Sequence, residues 1–174
     1  MKKNVAVWCE ISSGKHEHGG PGWEVGTCIW SPTTDRIGRS YSGYEVLHLP
    51  RCGDMVIHLY DRKILGASRI SAECRIVTEP PPNPGPWEGR RGYYRIELDA
   101  FRAFALQVPV RTFREVYGDR IREDIETNQP EMYPFCVVQP NKIAVSQGRI
   151  LNRCTPGLVR LVLEAADVDR KDLV

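Results

Sequence analysis

A chain of 174 residues in which 41% of side chains are hydrophobic is long enough for one ordinary core, and a single globular domain is the expectation. Its 24 Lys and Arg against 22 Asp and Glu leave a net charge of +2, which excludes attraction of nucleic acid by a bulk positive field and leaves only local arrangement. No apolar run is long enough to cross a bilayer, and no signal-peptide core follows Met1-Lys2-Lys3-Asn4, so no membrane role and a cytoplasmic location are expected.

Asn4 to Glu10 (NVAVWCE) alternates and is rich in β-formers, which makes it an opening strand. Ile11 to Tyr44 then reads as one irregular connection of more than thirty residues. Connections that long inside a compact domain are usually functional. Trp23 and Trp30 lie in it among glycines and prolines, with no periodic core face to account for them, and recognition residues concentrate on such loops. Cys52-Gly53-Asp54 reads as a turn into a strand over Met55 to Tyr60, and Asp61-Arg62-Lys63 as a hairpin into Ile64 to Thr78. A strand of that length must bend, and Gly66 is the candidate bulge. The loop from Pro80 to Trp87 is stiffened by proline, and Gly92 to Leu98 is a further alternating strand. Together these elements suggest a small curled sheet or barrel.

Thr112 is placed to cap a short helix through Tyr117, followed by a polar helix over Asp119 to Thr127 whose acidic run reads as a solvated face. Tyr133 to Val138 and Lys142 to Val145 read as strands. Thr155-Pro156 combines a capping threonine with proline at the first helical position, and Leu158, Leu161, Val162 and Ala165 then line one helical face. Residues 1–166 form the expected domain, and the charged segment 167–174 the expected start of a linker to a further domain.

The six cysteines show no paired metal or redox spacing and read as reduced small side chains. His16 and His18 flank Glu17 in a glycine-rich loop without a third ligand, so no metal and no cofactor is expected. Trp8, inside a strand, reads as core. Trp30 and Trp87 are expected to face each other across a pocket, with Trp23 behind Trp30 or as a third wall. The competing readings are core filler for Trp30 and a barrel plug for Trp87.

The order of parts resembles the EVE and YTH branch of the PUA-like superfamily. The resemblance rests on Gly22-Trp23-Glu24, Ile29-Trp30-Ser31, Gly53-Asp54-Met55-Val56-Ile57-His58-Leu59, Gly66, Trp87 with Gly89-Arg90, and Gln147-Gly148. It is closest to the EVE-like domains at the N-termini of modification-dependent restriction proteins of the McrBC and HNH kinds. It implies an α+β fold, a small curled β-barrel flanked by helices, that binds nucleic acid. It further implies a cage for a methylated base with Trp30 and Ser31 at one wall and Trp87 at the other. Base-edge contacts would come from Glu10, Ile11, Ser12 and Ser13, where the YTH lysine-serine-asparagine pattern is absent.

Extruding a base from a duplex costs a few kcal/mol, and stacking on an aromatic ring returns roughly 1–3 kcal/mol. Two indoles around one base would offset that cost. Phosphates would be held by Lys15, Arg90, Arg91 and Arg149. The implied function is a non-catalytic sensor of a modified base in double-stranded DNA for a restriction system. A homo-oligomer or a nuclease partner subunit would supply avidity and cleavage. The alternatives are a reader of methylated single-stranded RNA, and an amidohydrolase of modified cytidine using Lys63, Thr78 and Glu97.

Overall fold

A computed structural model of the chain describes residues 5–13, 19–139, 142–169 and 171. Eight strands and three α-helices follow in the order β1 (Val7–Ser12), β2 (Cys28–Pro32), α1 (Ser42–Glu45), β3 (Met55–Tyr60), β4 (Lys63–Val77), β5 (Tyr93–Pro109), α2 (Val110–Asn128), β6 (Phe135–Gln139), β7 (Lys142–Val145), β8 (Leu151–Arg153) and α3 (Pro156–Ala166). A six-stranded sheet runs β2-β5-β4-β3-β1-β8 and curls into a half-barrel, with β6 and β7 as a separate hairpin. All its pairings are antiparallel except β1 with β3, which run parallel with Glu10 opposite His58.

The hairpin at Asp61 and Arg62 places both residues at positive φ, as a two-residue turn between twisted strands requires. The bend expected in β4 is present at Gly66, where the register with β5 shifts. A Cβ there would lie 2.4 Å from the Arg102 carbonyl oxygen, so glycine alone permits the approach.

Two apolar layers follow from strand alternation. On one face of the sheet Cys9, Ile57, Leu59 and Phe104 meet Phe113 and Ile121 of α2 and Leu158, Leu161 and Val162 of α3. Inside the curl, Trp8, Ile29, Val56, Ile70, Ile96 and Leu151 close around Val46 and Leu47 of a short 3-10 turn. Asp54 pins this interior. Its carboxylate accepts the Ala6 N–H at 3.1 Å, the Arg51 N–H at 3.0 Å and the Trp8 indole N–H at 3.0 Å.

Several elements differ from the sequence reading. Cys28–Pro32 is a strand, not loop: all five of its residues are buried, one face against the interior and the other under loops, so no alternation marks it. β5 continues eleven residues beyond Leu98, turning at Ala100 (φ 51°). The two expected helices are one, because Val110, Phe113, Tyr117, Ile121 and Ile125 form a continuous stripe through Gly118. Thr112 therefore lies within the helix and does not cap it. β8 is short and was hidden in a polar context, whereas Thr155 caps α3 as expected, its Oγ1 accepting the Leu158 N–H at 3.0 Å.

Candidate nucleic-acid interface

Alternation along β2 decides which of its side chains can belong to one site. Ile29 and Ser31 point into the curl, opposite Ile96 and Tyr94 of β5, while Cys28 and Trp30 point to the other face, opposite Glu97 and Arg95. On that outer face Trp23, Trp30, Cys28 and Tyr93 form a cluster, with Val77 and Trp87 packed against it. Trp23 and Trp30 meet edge-on, with centroids 5.9 Å apart and planes at 89°. Tyr93 meets both edge-on as well, at 6.4 and 5.8 Å.

Two loops hold this cluster closed. The Asn83 N–H donates to the Gly19 carbonyl at 2.7 Å, and a Cβ on Gly19 would lie 2.8 Å from Pro81 Cβ, so the loop bearing Trp23 and the proline loop bearing Trp87 interlock. The Tyr93 hydroxyl donates to the Trp87 carbonyl at 2.8 Å. Trp87 itself ends a 3-10 turn, Gly85–Trp87, and is half-buried. The Arg95 guanidinium lies 4.1 Å from the centre of the Trp23 ring, donates to the Gly22 carbonyl and pairs with Glu97 at 2.8 Å. Burial pushes the Glu97 carboxyl up, but Arg95 and Arg75 outweigh it and hold the group below its ordinary value.

The structure thus brings Trp23, Trp30 and Trp87 together, with Trp23 and Trp30 edge-on to each other and Trp87 packed against their cluster. Trp23 is 6% exposed and Trp30 8%, so both are packed side chains in this state. Ser31, adjacent in sequence, is not beside them: it is buried on the opposite face, its hydroxyl donating to the Pro32 carbonyl. Period-two geometry separates the pair that the motif joins.

The expected base-edge residues lie elsewhere. Glu10 is 1% exposed and its carboxylate is bonded to His58 Nδ1 at 2.5 Å, while His58 Nε2 meets Ser68 Oγ at 2.8 Å. This buried chain ties β1, β3 and β4 together and leaves Glu10 no edge to offer a base, which corrects its assignment. Ile11 packs with the helix-side core. Ser12 and Ser13 are half-buried at the end of β1, and the Ser12 hydroxyl is shielded without a partner among the described residues. Lys15 lies outside the described residues, as do His16, Glu17 and His18. Among the described residues no group of His, Cys, Asp or Glu is disposed to hold a metal.

The phosphate candidates fare differently. Arg90 and Arg91 follow Trp87 after Glu88 and Gly89. Arg149 adjoins Gly148, whose carbonyl accepts the Tyr41 hydroxyl at 2.6 Å. Tyr41 packs edge-on against Tyr44 at 4.8 Å, and Tyr44 against Trp87 at 5.8 Å. The Arg36 guanidinium sits 5.6 Å from the Trp87 ring centre. Burial first, then Tyr41 and Asp35, push the Tyr44 phenol up against the opposing pull of Arg36 and Arg90. Tyr41, Tyr44 and Arg36 carry no motif. Their only sequence signal is a pair of arginines followed by a pair of tyrosines within 36–44.

Lys63 and Thr78 stand at opposite ends of β4, and Glu97 is held by Arg75 and Arg95, so the amidohydrolase trio does not converge. All six cysteines are free thiols. No helix among the described residues is long and apolar enough to cross a membrane.

No protein-family model and no curated protein sequence matches the chain. Solved structures do match. Protein Atu2648 from Agrobacterium tumefaciens aligns over 95% of this chain and 96% of its own, with a TM-score of 0.58 at 10% identity. Human THYN1, solved in complex with DNA containing 5-methylcytosine, aligns over 95% and 99% with a TM-score of 0.53 at 12% identity. The N-terminal domain of Staphylothermus marinus McrB aligns over 92% and 94% with a TM-score of 0.50 at 11% identity. At these identities the likeness is one of fold: the chain has the EVE/PUA-like α+β fold, a curled half-barrel sheet flanked by helices.

Proposed function

We propose that this domain binds nucleic acid by capturing a single methylated base, with 5-methylcytosine in DNA as its first candidate, on the aromatic cluster of Trp23, Trp30, Tyr93 and Trp87. The observation that carries this reading is the asymmetry of that cluster. Three of its rings are packed under loops, while Trp87 lies half-buried against them on a single 3-10 turn. A ring so placed is the one that can swing away and close again. The base enters between Trp87 and the Trp30 wall, exchanging edge-on ring contacts for a stacked sandwich.

The magnitudes are compatible. Extrusion costs a few kcal/mol, and stacking on two rings returns roughly 1–3 kcal/mol for each. The methyl group adds about 0.8 kcal/mol on burial, so discrimination against the unmodified base is modest in the isolated domain. That human THYN1 has the same fold and was solved with 5-methylcytosine-containing DNA supports the choice of base. A sensor of this kind suits a modification-dependent restriction system whose cleavage is performed by another domain or subunit. Binding is tested by fluorescence anisotropy on matched DNA and RNA oligonucleotides, each with and without one central 5-methylcytosine. Tighter binding of methylated DNA than of the unmethylated and RNA forms is the expected result. Equal affinity for all four overturns the reading.

A further inference from the structure

We infer that Tyr41 and Tyr44, with Arg36, Arg90 and Arg149, form a stacking platform for the unpaired nucleotides that flank the captured base. The inference rests on the base-capture reading for the position of that base, and it adds a second surface with its own chemistry. A row of rings leads out of the cluster: Trp87 packs against it and meets Tyr44 edge-on, and Tyr44 meets Tyr41. Tyr41, Tyr44 and Trp87 are all half-buried, so each offers surface to a planar guest. Every base has a π-face, and stacking on such rings is indifferent to sequence.

Charge points to the same partner. Arg36, Arg39, Arg90, Arg91 and Arg149 form no ion pair with a carboxylate among the described residues, although the chain as a whole is nearly neutral. The Arg90 Nε is shielded from solvent without a hydrogen-bond partner. Two acidic groups nearby are already engaged, since Asp35 accepts the Ile37 and Arg39 N–H groups and Glu45 accepts the Ser40 hydroxyl, while Glu88 beside Trp87 is exposed. Guanidiniums interleaved with half-exposed tyrosines match a backbone carrying regularly spaced phosphates and splayed bases.

The platform is built, not incidental. A Cβ on Gly43 would lie 1.9 Å from the Gly148 carbonyl oxygen, so glycine at 43 is what lets the 147–149 segment lie across α1 and bring Arg149 beside Tyr41.

The test compares two probes on one set of variants: 5-methyl-dCMP, which reaches only the base site, and a single-stranded DNA oligonucleotide carrying that base at its centre. Y41A/Y44A is expected to weaken the oligonucleotide roughly 30-fold or more, the loss of two stacked bases, while leaving 5-methyl-dCMP binding unchanged. Y41F, which keeps the ring and removes only the bond to Gly148, is expected to bind the oligonucleotide like the parent protein. R36A and R149A are each expected to flatten the slope of log affinity against log salt by about 0.7, the single-strand value for one phosphate contact. Unchanged oligonucleotide binding in Y41A/Y44A overturns the inference. So does an equal loss for both probes, which would assign the tyrosines to the base site or the core. Failure of the base-capture reading looks different: the parent protein would not bind 5-methyl-dCMP, yet the oligonucleotide would still depend on the tyrosines.

Discussion

Truncating Trp87 and truncating Trp30 should have opposite signatures, because the two indoles differ in burial though both belong to one cluster. Trp30 is 8% exposed and touches Trp23 and Tyr93 edge-on, so Trp30→Ala removes a packed ring and is expected to cost about 3–5 kcal/mol of stability. Trp87 is half-buried on a 3-10 turn held by the Tyr93 hydroxyl to its own backbone carbonyl, a bond that Trp87→Ala preserves. Its stability cost should be about 1 kcal/mol, whereas loss of one stacking wall should weaken methylated-base binding by roughly 1–3 kcal/mol, about 5- to 150-fold. Urea denaturation reads the first quantity and anisotropy with a methylated oligonucleotide the second. The reasoning is refuted if W87A loses stability as W30A does, or if W87A binds as tightly as the parent protein. Either result would make Trp87 a plug over the barrel face and leave the cluster with no mobile wall.

Asp54→Ala should lower stability by at least about 3 kcal/mol, since it removes the acceptor of three N–H groups and each bond to a charged group is worth about 1.5–3 kcal/mol. A urea midpoint within error of the parent protein would show that the Gly53-Asp54 turn does not hold the Trp8 strand. Glu10→Ala leaves the buried His58 Nδ1 without its partner, and a loss of roughly 1–3 kcal/mol is expected by the same assay; near-neutrality would restore Glu10 as a free group. Burial pushes the Cys28 thiol up to about 12 and Cys74 to about 11, while Cys52 is exposed. Iodoacetamide at pH 8 should therefore alkylate Cys52 in the native protein, and Cys28 only after denaturation. Because Cys28 titrates near 9.0 when unfolded and higher when folded, the unfolded state loses its proton first and stability should fall as pH rises above 9. Native labelling of Cys28 at pH 8 would contradict its burial.

The strands that the sequence announced best are runs of β-formers framed by turn residues. Met55–Tyr60 and Lys142–Val145 match their reading residue for residue, and the Gly66 bulge was legible because a fifteen-residue strand cannot stay flat. β2 was illegible because, unlike the equally buried Met55–Tyr60, its short apolar run is cut by Ser31 and Pro32, and its glycine-rich neighbours made it look like loop. The missing period then misplaced the site, since Trp30 and Ser31 looked like neighbours until alternation set them on opposite faces. Glu10 was misread because a carboxylate at a strand end looks available. Only the parallel register that sets it opposite His58 reveals a buried partner 48 residues away. The tyrosine row was missed because edge-on contacts between residues 41, 44 and 87 are tertiary, and nothing local encodes them.

The bond from Tyr41 to the Gly148 carbonyl joins residues 107 positions apart, and β8 is hydrogen-bonded to β1 at the far margin of the sheet. The two ends of the chain are therefore stitched into the same surface. A proteolytic nick in the 129–134 connection that released the C-terminal quarter would remove Arg149 and unclasp α1 together, even though every tryptophan remained on the surviving piece. Dissecting this domain into a smaller fragment is thus limited by the return of β8 to β1, and not by the span that carries the aromatic rings.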